Sequence, residues 1–288
     1  MPAPLLSVVI PVYNRYEYTR RCLESVAKLT YTDRETLVVD NGSSDGTPER
    51  IMAEFPWVKL IRSPTNLGYA AGCILGIRQS SGRYVLLLNN DTWIVDSNLV
   101  EILVGILEKD SDVAAVGPRV VEYDDPEKVV FDGQADAYGG LYITGVVFLV
   151  RRDALREVGL FDESFFAYYE DRDLFARLKD AGWTFRHAAS VRVAHKGSVT
   201  ARLGSPFYYY WHNRNFVVYV RRHVIGRVGL FQILPAWATQ TGWFLHWTLR
   251  SRDWQKLREW VRGYRDGLRA ALADQPKTGP PLERQEEA

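Results

Sequence analysis

Arg83-Tyr-Val-Leu-Leu-Leu-Asn-Asn-Asp-Thr92 is the stretch whose reading decides the fold. Val85 to Leu88 is an unbroken apolar run that ends directly in Asn89-Asn90-Asp91. A short apolar run bounded by turn residues reads as a strand buried on both faces, the pattern of a parallel sheet. The polar triplet then marks the carboxyl end of a central strand, where open α/β sheets bind their ligands. Asp91 is thereby a carboxylate held where a nucleotide or a metal ion would sit. The triplet also has a plainer reading, a turn that caps the next helix, because Asn and Asp favour both. The flanking sequence separates the two.

The chain has 288 residues, 47% hydrophobic and 25% charged, enough to bury one large core or two small ones. A net charge of +1 gives no electrostatic footprint for nucleic acid, so no nucleic-acid partner is expected. Cys22 and Cys73 have no metal-ligand spacing and both fall on helical segments, which predicts buried free thiols and fits a reducing compartment. The N-terminus shows no basic region followed by an apolar run, so no signal peptide is expected. Residues 274–288, rich in Pro and polar side chains, are expected to form a disordered tail.

Upstream of Asp91, strands and helices alternate. Leu6 to Ile10 reads as a first strand stopped by Pro11, and Asn14 as the cap of a helix reaching about Leu29. Leu37 to Asp40 is a second strand. It opens into Asn41-Gly-Ser-Ser-Asp-Gly-Thr47, with Thr47 and Pro48 as N-cap and first helical residue. Val58 to Ile61 is a third strand, and Asn66-Leu-Gly-Tyr-Ala-Ala-Gly72 opens a helix that ends near Gln79. This order predicts an α/β fold with a central, mostly parallel sheet flanked by helices and joined by right-handed crossovers. No Gly-x-Gly-x-x-Gly follows the first strand and no P-loop Gly-Lys-Ser/Thr occurs, which argues against the common dinucleotide and P-loop sites.

Four segments, in this order, carry a resemblance. Ser7-Val-Val-Ile-Pro-Val-Tyr-Asn14, Val39-Asp-Asn-Gly-Ser-Ser-Asp-Gly-Thr47, Asn66-Leu-Gly68 and Leu88-Asn-Asn-Asp-Thr92 together resemble the family 2 glycosyltransferases of GT-A fold, in the rhamnosyltransferase-like branch. The resemblance runs from about Leu6 to about Arg222. It implies that Pro11, Val12 and Tyr13 line the base, that Asp40 hydrogen-bonds the pyrimidine edge, and that Asn66 and Gly68 approach the nucleotide. It also implies that Asn89 and Asn90 border the donor and that Asp91 is the metal-binding acid of the family's Asp-x-Asp motif. Asn89 stands at the motif's first position, which leaves one anionic ligand there. The chemistry is coherent: a departing nucleoside diphosphate gathers negative charge, and a hard divalent cation, Mg²⁺ or Mn²⁺, stabilises it through oxygen ligands.

Downstream, Asp96 reads as the cap of a helix bearing Leu99, Leu103 and Ile106. Strands follow at Val113–Val116, Val120–Tyr123, Val129–Phe131 and Gly145–Val150, then a short helix to Val158. Phe165-Phe-Ala-Tyr-Tyr-Glu-Asp-Arg-Asp173 places three acids in the first turn of a helix, where the helix dipole alone favours them. The same acids suit a general base. Inverting glycosyl transfer is a direct displacement by an acceptor hydroxyl, whose proton a carboxylate must take. The aromatic residues before them suit a sugar-binding wall. The resemblance places the base in the Glu170-Asp171 pair: Asp171 is the chosen base, Glu170 a neighbour holding the acceptor, and Asp173 structural. Spacing does not separate two adjacent acids. Val191 to His195 reads as an edge strand. Its terminal His reads as a surface or capping residue, and the resemblance implies instead a further ligand to the donor's metal.

These readings divide the chain into a catalytic domain at 1–200, with a nucleotide half at 1–92 and an acceptor half at 93–200, and an aromatic, basic helical extension at 201–273. Within the extension, Tyr210, Arg214 and Asn215 also resemble the rhamnosyltransferase-like branch. Val228 to Leu249 lacks charge and is long enough for a bilayer, but Gln232, Pro235, Gln240, Gly242 and His246 make it a poor span. Residues 206–270 read either as an element lying on an anionic membrane surface or as helices packed on the catalytic domain or in a homodimer contact. Gln255-Lys-Leu-Arg-Glu-Trp260 is not the Gln-x-x-Arg-Trp of processive synthases, which predicts addition of one or a few sugars. The expected protein is an inverting, metal-dependent glycosyltransferase at the cytoplasmic face of the cell membrane. It would move a sugar, with rhamnose from dTDP-rhamnose as the candidate, from a nucleoside-diphosphate donor to a saccharide or lipid-linked saccharide in cell-surface polysaccharide synthesis. Two rivals remain: a nucleotidyltransferase, disfavoured by the absence of a Gly-rich basic first loop, and a non-catalytic sugar-binding member, disfavoured by Asp91 and Glu170-Asp171.

Overall fold

The computed structural model describes residues 5–135, 141–197, 204–225 and 252–273, with isolated positions at 238, 241–242, 244, 250 and 282. The uncharged stretch at 228–249 and the expected tail at 274–288 lie largely outside the described residues.

Strand β1 (Leu6–Val12), helix α1 (Tyr16–Ala27), β2 (Arg34–Asn41), α2 (Thr47–Glu54), β3 (Lys59–Ser63), α3 (Tyr69–Arg78) and β4 (Tyr84–Leu88) form the first half. The sheet order here is β3-β2-β1-β4, all parallel. Every residue of β1 and β4 is buried, as an apolar run with no alternation requires. Leu6, Val8, Ile10, Tyr84, Leu86 and Leu88 face a core shared with α1 and α2; Val9, Val85 and Leu87 face one shared with α3. Pro11 does not stop β1. The strand runs on beside β2 to Val12, while its pairing with β4 ends at Val9, so no bond to β4 is asked of Pro11.

The second half adds β5 (Thr92–Ile94), α4 (Leu99–Lys109), β6 (Val113–Glu122), β7 (Val129–Phe131), β8 (Gln134–Ala135), β9 (Leu141–Tyr142), β10 (Val147–Arg151), α5 (Arg152–Val158), α6 (Glu170–Asp180) and β11 (Thr184–His195). Here the sheet is mixed. β10 inserts antiparallel between β4 and β6, β11 runs parallel to β6, and β5 closes the edge antiparallel to β11. The segments read separately as Val113–Val116 and Val120–Tyr123 are one continuous strand. The segment ending at His195 is not an edge strand, because β5 covers it. Helix α4 packs on the α1 face, and α5 and α6 on the α3 face.

Three expected caps have other tasks. Asn14 has a left-handed backbone (φ 55°) and accepts from the Ser44 N–H. Thr47 is already helical, its hydroxyl donating to Asp45, and Gly46 precedes the helix. Asp96 binds Arg192 of β11 through both carboxylate oxygens. Both cysteines are buried free thiols.

Beyond the sheet, α7 (Pro206–Tyr219) continues into a π-turn at Val220–Val224, and α8 (Trp254–Ala273) packs along α7. Gly263 and Gly267 make this close approach possible, because a Cβ at either would lie 2.5 Å from the Tyr210 carbonyl oxygen or 2.7 Å from that of Arg214.

Candidate active site

The loops at the carboxyl ends of β1, β2 and β4 open into a cavity of about 460 Å³, the size class of small-ligand sites. Pro11, Val12, Tyr13, Asn66, Gly68, Asn89, Asn90 and Asp91 line it from the first half. Glu170, Asp171 and His195 line it from the second. Asp40, expected at the pyrimidine edge, is buried and is not among the residues lining the cavity; it accepts from the Ser43 N–H, and Asn41 lines the cavity at the end of β2.

Asp91 and His195 meet because β5 begins one residue after Asp91. His195 pairs with Thr92, and the Lys196 N–H donates to the Asp91 carbonyl at 3.0 Å. This brings His195 Nε2 to 3.3 Å from Asp91 Oδ1. Asn89 Oδ1 is buried without a hydrogen-bond partner, which offers a neutral oxygen at the first motif position. Among the described residues, no three His, Cys, Asp or Glu side chains gather to hold a metal ion by themselves. The donor set nevertheless fits a hard divalent cation, which keeps waters and takes further ligands from a diphosphate.

The opposite wall is built by the segment before α6. A short 3₁₀ turn at Glu163–Phe165 leads into Phe166, Tyr168 and Tyr169, all with positive φ (53°, 67° and 72°). Such backbone is costly for bulky residues and persists only when held. Asn215 of α7 holds it: its Nδ2 lies 2.6–2.8 Å from the carbonyl oxygens of Phe165, Ala167 and Tyr168. Arg214 adds a bond to the Ser164 carbonyl. Gly68 meets the same segment from the first half. The Tyr69 N–H donates to the Phe166 carbonyl, and a Cβ on Gly68 (φ +86°) would lie 2.5 Å from that oxygen. Only glycine fits both the backbone and the contact.

The two adjacent acids have different surroundings. Asp171 Oδ2 accepts from the Gly145 N–H at 3.1 Å and the Tyr142 hydroxyl at 3.2 Å, and Oδ1 from the Arg172 N–H. Gly145 permits this approach, since a Cβ there would lie 2.5 Å from Asp171 Oδ2. Glu170 is 8% exposed and its Oε2 has no hydrogen-bond partner. Burial, and then the charge of Asp171, push its carboxyl up to about 8, so it carries a proton at neutral pH. Asp173 faces away from the cavity into a buried network. Burial pushes its carboxyl up, but the bond from His223 and the Arg177 and Arg222 charges outweigh this and hold it below its ordinary value.

Sequence reasoning missed one wall. Phe207, Tyr208 and His212 of α7 line the cavity; burial, then the Arg172 charge, push the His212 imidazole down to about 4, so it is neutral. The aromatic run at 206–211 was the available signal.

The comparisons with known proteins bear on the family and the fold. The profile of Glycosyl transferase family 2 matches residues 7–159, and that of Glycosyl transferase family group 2 matches residues 84–254. The chain belongs to glycosyl transferase family 2. Among relatives of this family 2 chain, the N-acetylglucosaminyl-diphospho-decaprenol L-rhamnosyltransferase of Mycobacterium tuberculosis is 27% identical over 298 aligned residues, 85% of this chain and 89% of that one. A Pyrobaculum calidifontis mannosyltransferase solved with GDP-Man and Mn²⁺ superposes with a TM-score of 0.60 at 16% identity, covering 92% of this chain and 87% of that one. GalNAc-T7 with UDP, GalNAc and Mn²⁺ gives a TM-score of 0.61 at 18% identity, covering 76% and 48%. These likenesses establish the GT-A fold for the family 2 glycosyltransferase described here.

Proposed function

We propose that this glycosyltransferase moves a deoxyhexose, rhamnose from dTDP-rhamnose, onto a lipid-linked saccharide with inversion at the anomeric carbon. The observation that carries the reading is the shared cavity, with Asp91 and His195 on one side and Asp171 on the other. The donor and acceptor are argued from the mycobacterial relative, whose name specifies an L-rhamnosyltransferase acting on N-acetylglucosaminyl-diphospho-decaprenol.

Pro11, Val12, Tyr13 and Asn66 receive the nucleoside, and Asp40 steadies the loop beneath it. Asp91 and His195 would hold Mg²⁺ or Mn²⁺, which supplies charge stabilisation to the leaving diphosphate. The aromatic wall of Tyr168, Tyr208 and His212 packs the acceptor sugar by its apolar faces. Asp171 takes the proton of the attacking hydroxyl as the new C–O bond forms and the bond to the diphosphate breaks. Tyr142 and the Gly145 N–H occupy Oδ2 and aim the carboxylate, while Oδ1, which accepts only from the Arg172 N–H, retains a lone pair for the incoming proton. Glu170, carrying its own proton, has a hydrogen bond to donate to the acceptor rather than one to accept.

Asp171→Asn tests the assignment. Transfer is expected to fall by about 10²–10⁴-fold while donor binding, measured by calorimetry, persists. Transfer at the wild-type rate would remove Asp171 from the role.

A further inference from the structure

The outer face of α8 is unusual for a helix already packed on its own protein. Its inner seam is Gly263, Gly267 and Ala271, which seat it on α7. Its outer face carries an apolar line: Trp254, Val261, Leu268 and Leu272 are 61%, 52%, 56% and 87% exposed. Arg258, Arg262, Arg265 and Arg269 are exposed beside this line. The two acids of the helix, Glu259 and Asp266, are half-buried at the edge of this face, Glu259 pairing with Arg262 and Asp266 with Arg262, Arg265 and Arg269, so four arginines stand against two acids and the face keeps a net positive charge beside its hydrocarbon.

The geometry points to this face as a docking surface for an anionic lipid bilayer, with α8 lying in the headgroup plane. Charge complementarity and the apolar line together select that occupant. An amphipathic helix with basic and aromatic residues partitions into the interface by burying its apolar side while its arginines reach lipid phosphates. A second copy of the chain pairing through this face would set four arginines against four. A nucleic acid would meet the arginines but leave the Trp254–Leu272 line in water. Among the described residues no helix is long and apolar enough to cross a membrane, so the contact is a surface one. The placement deepens, and rests on, the lipid-linked acceptor reading. Helix α8 packs on α7, and α7 contributes Phe207, Tyr208 and His212 to the cavity. A bilayer met by α8 therefore lies one helix away from the acceptor wall, where a lipid-borne sugar would arrive.

The test is co-sedimentation of the full chain with vesicles of phosphatidylcholine alone and of phosphatidylcholine with about one-third phosphatidylglycerol. The chain is expected to bind the anionic vesicles only, and less as salt rises. Two double variants, Val261→Ser with Leu268→Ser and Arg258→Glu with Arg265→Glu, are each expected to lower the partition coefficient about tenfold or more. The Val261/Leu268 variant should melt as the wild type does, the arginine variant loses only the exposed Arg265–Asp266 pair, and transfer to a water-soluble acceptor should stay unchanged in both, because none of these side chains lines the cavity. The proposal is overturned if the chain ignores anionic vesicles or if both variants bind as the wild type does. It is equally overturned if sedimentation equilibrium shows a dimer that the same substitutions dissociate without any vesicle binding. Vesicle binding is read without turnover, so its failure and a failure of the transferase reading are distinguishable.

Discussion

Glu170 and Asp171 are neighbours in sequence, yet one peptide bond separates two chemistries. Asp171 lies where Tyr142 and the Gly145 N–H can donate to it. Glu170 is buried with a free oxygen, and burial followed by the Asp171 charge moves it from 4.5 to about 8. The folded chain thus holds a proton that the unfolded chain releases above 4.5. Its contribution to stability is full below that value and is lost as pH rises through about 8. Glu170→Gln is expected to raise the melting temperature near pH 8 and to flatten its decline between about pH 5 and pH 8. Calorimetric scans across that range check it, and coincident slopes for both proteins would contradict it. The sequence narrowed the base to this pair through a resemblance, but helical spacing gives adjacent acids no distinguishing mark. Burial distinguishes them, and the groups near enough to feel the Glu170 charge, Tyr69 and Cys73 of α3, come from a distant segment.

At the scale of elements, the two least legible pieces do the most to position the site. β5 has three residues, too short to show periodicity, yet its pairing with β11 brings His195 to Asp91. Helix α7 is aromatic and polar on every side, so no single apolar face announces its place. One side lines the cavity, another carries α8, and a third sends Arg214 and Asn215 to the strained segment before α6. Asn215 has two N–H hydrogens for three carbonyl acceptors, and all three bend the backbone of Phe166 to Tyr169 into shape. Asn215→Leu removes the side-chain donor those carbonyls share, leaving Phe165 only its bond from the Ala167 N–H, at a cost of about 3 kcal/mol, which lowers the melting temperature by roughly 6–10 °C. Because the released segment carries Tyr168 and leads into Asp171, turnover is expected to fall at least tenfold while donor affinity changes little. A thermal melt with steady-state kinetics checks both, and a variant destabilised but fully active would detach this motif from the site.

Across the whole molecule, the legible half is the one with parallel strands. Burial on both faces forces continuous apolar runs, and Leu6–Ile10, Leu37–Asp40 and Val85–Leu88 declare themselves. The second half mixes directions and carries Gly117-Pro118 inside β6, so one strand reads as two. The fold joins these halves so that carboxylates about eighty residues apart in sequence, Asp91 and Asp171, face one space. On the proposed function they serve separate ends of one reaction: Asp91 the donor's diphosphate, Asp171 the acceptor's proton. Calorimetric titration of dTDP-rhamnose with Mn²⁺ into Asp91→Asn and Asp171→Asn tests this most directly. Asp171→Asn should bind the donor within about twofold of the wild type, and Asp91→Asn at least about tenfold more weakly. Equal donor affinity in the two variants, or a loss confined to Asp171→Asn, would contradict it.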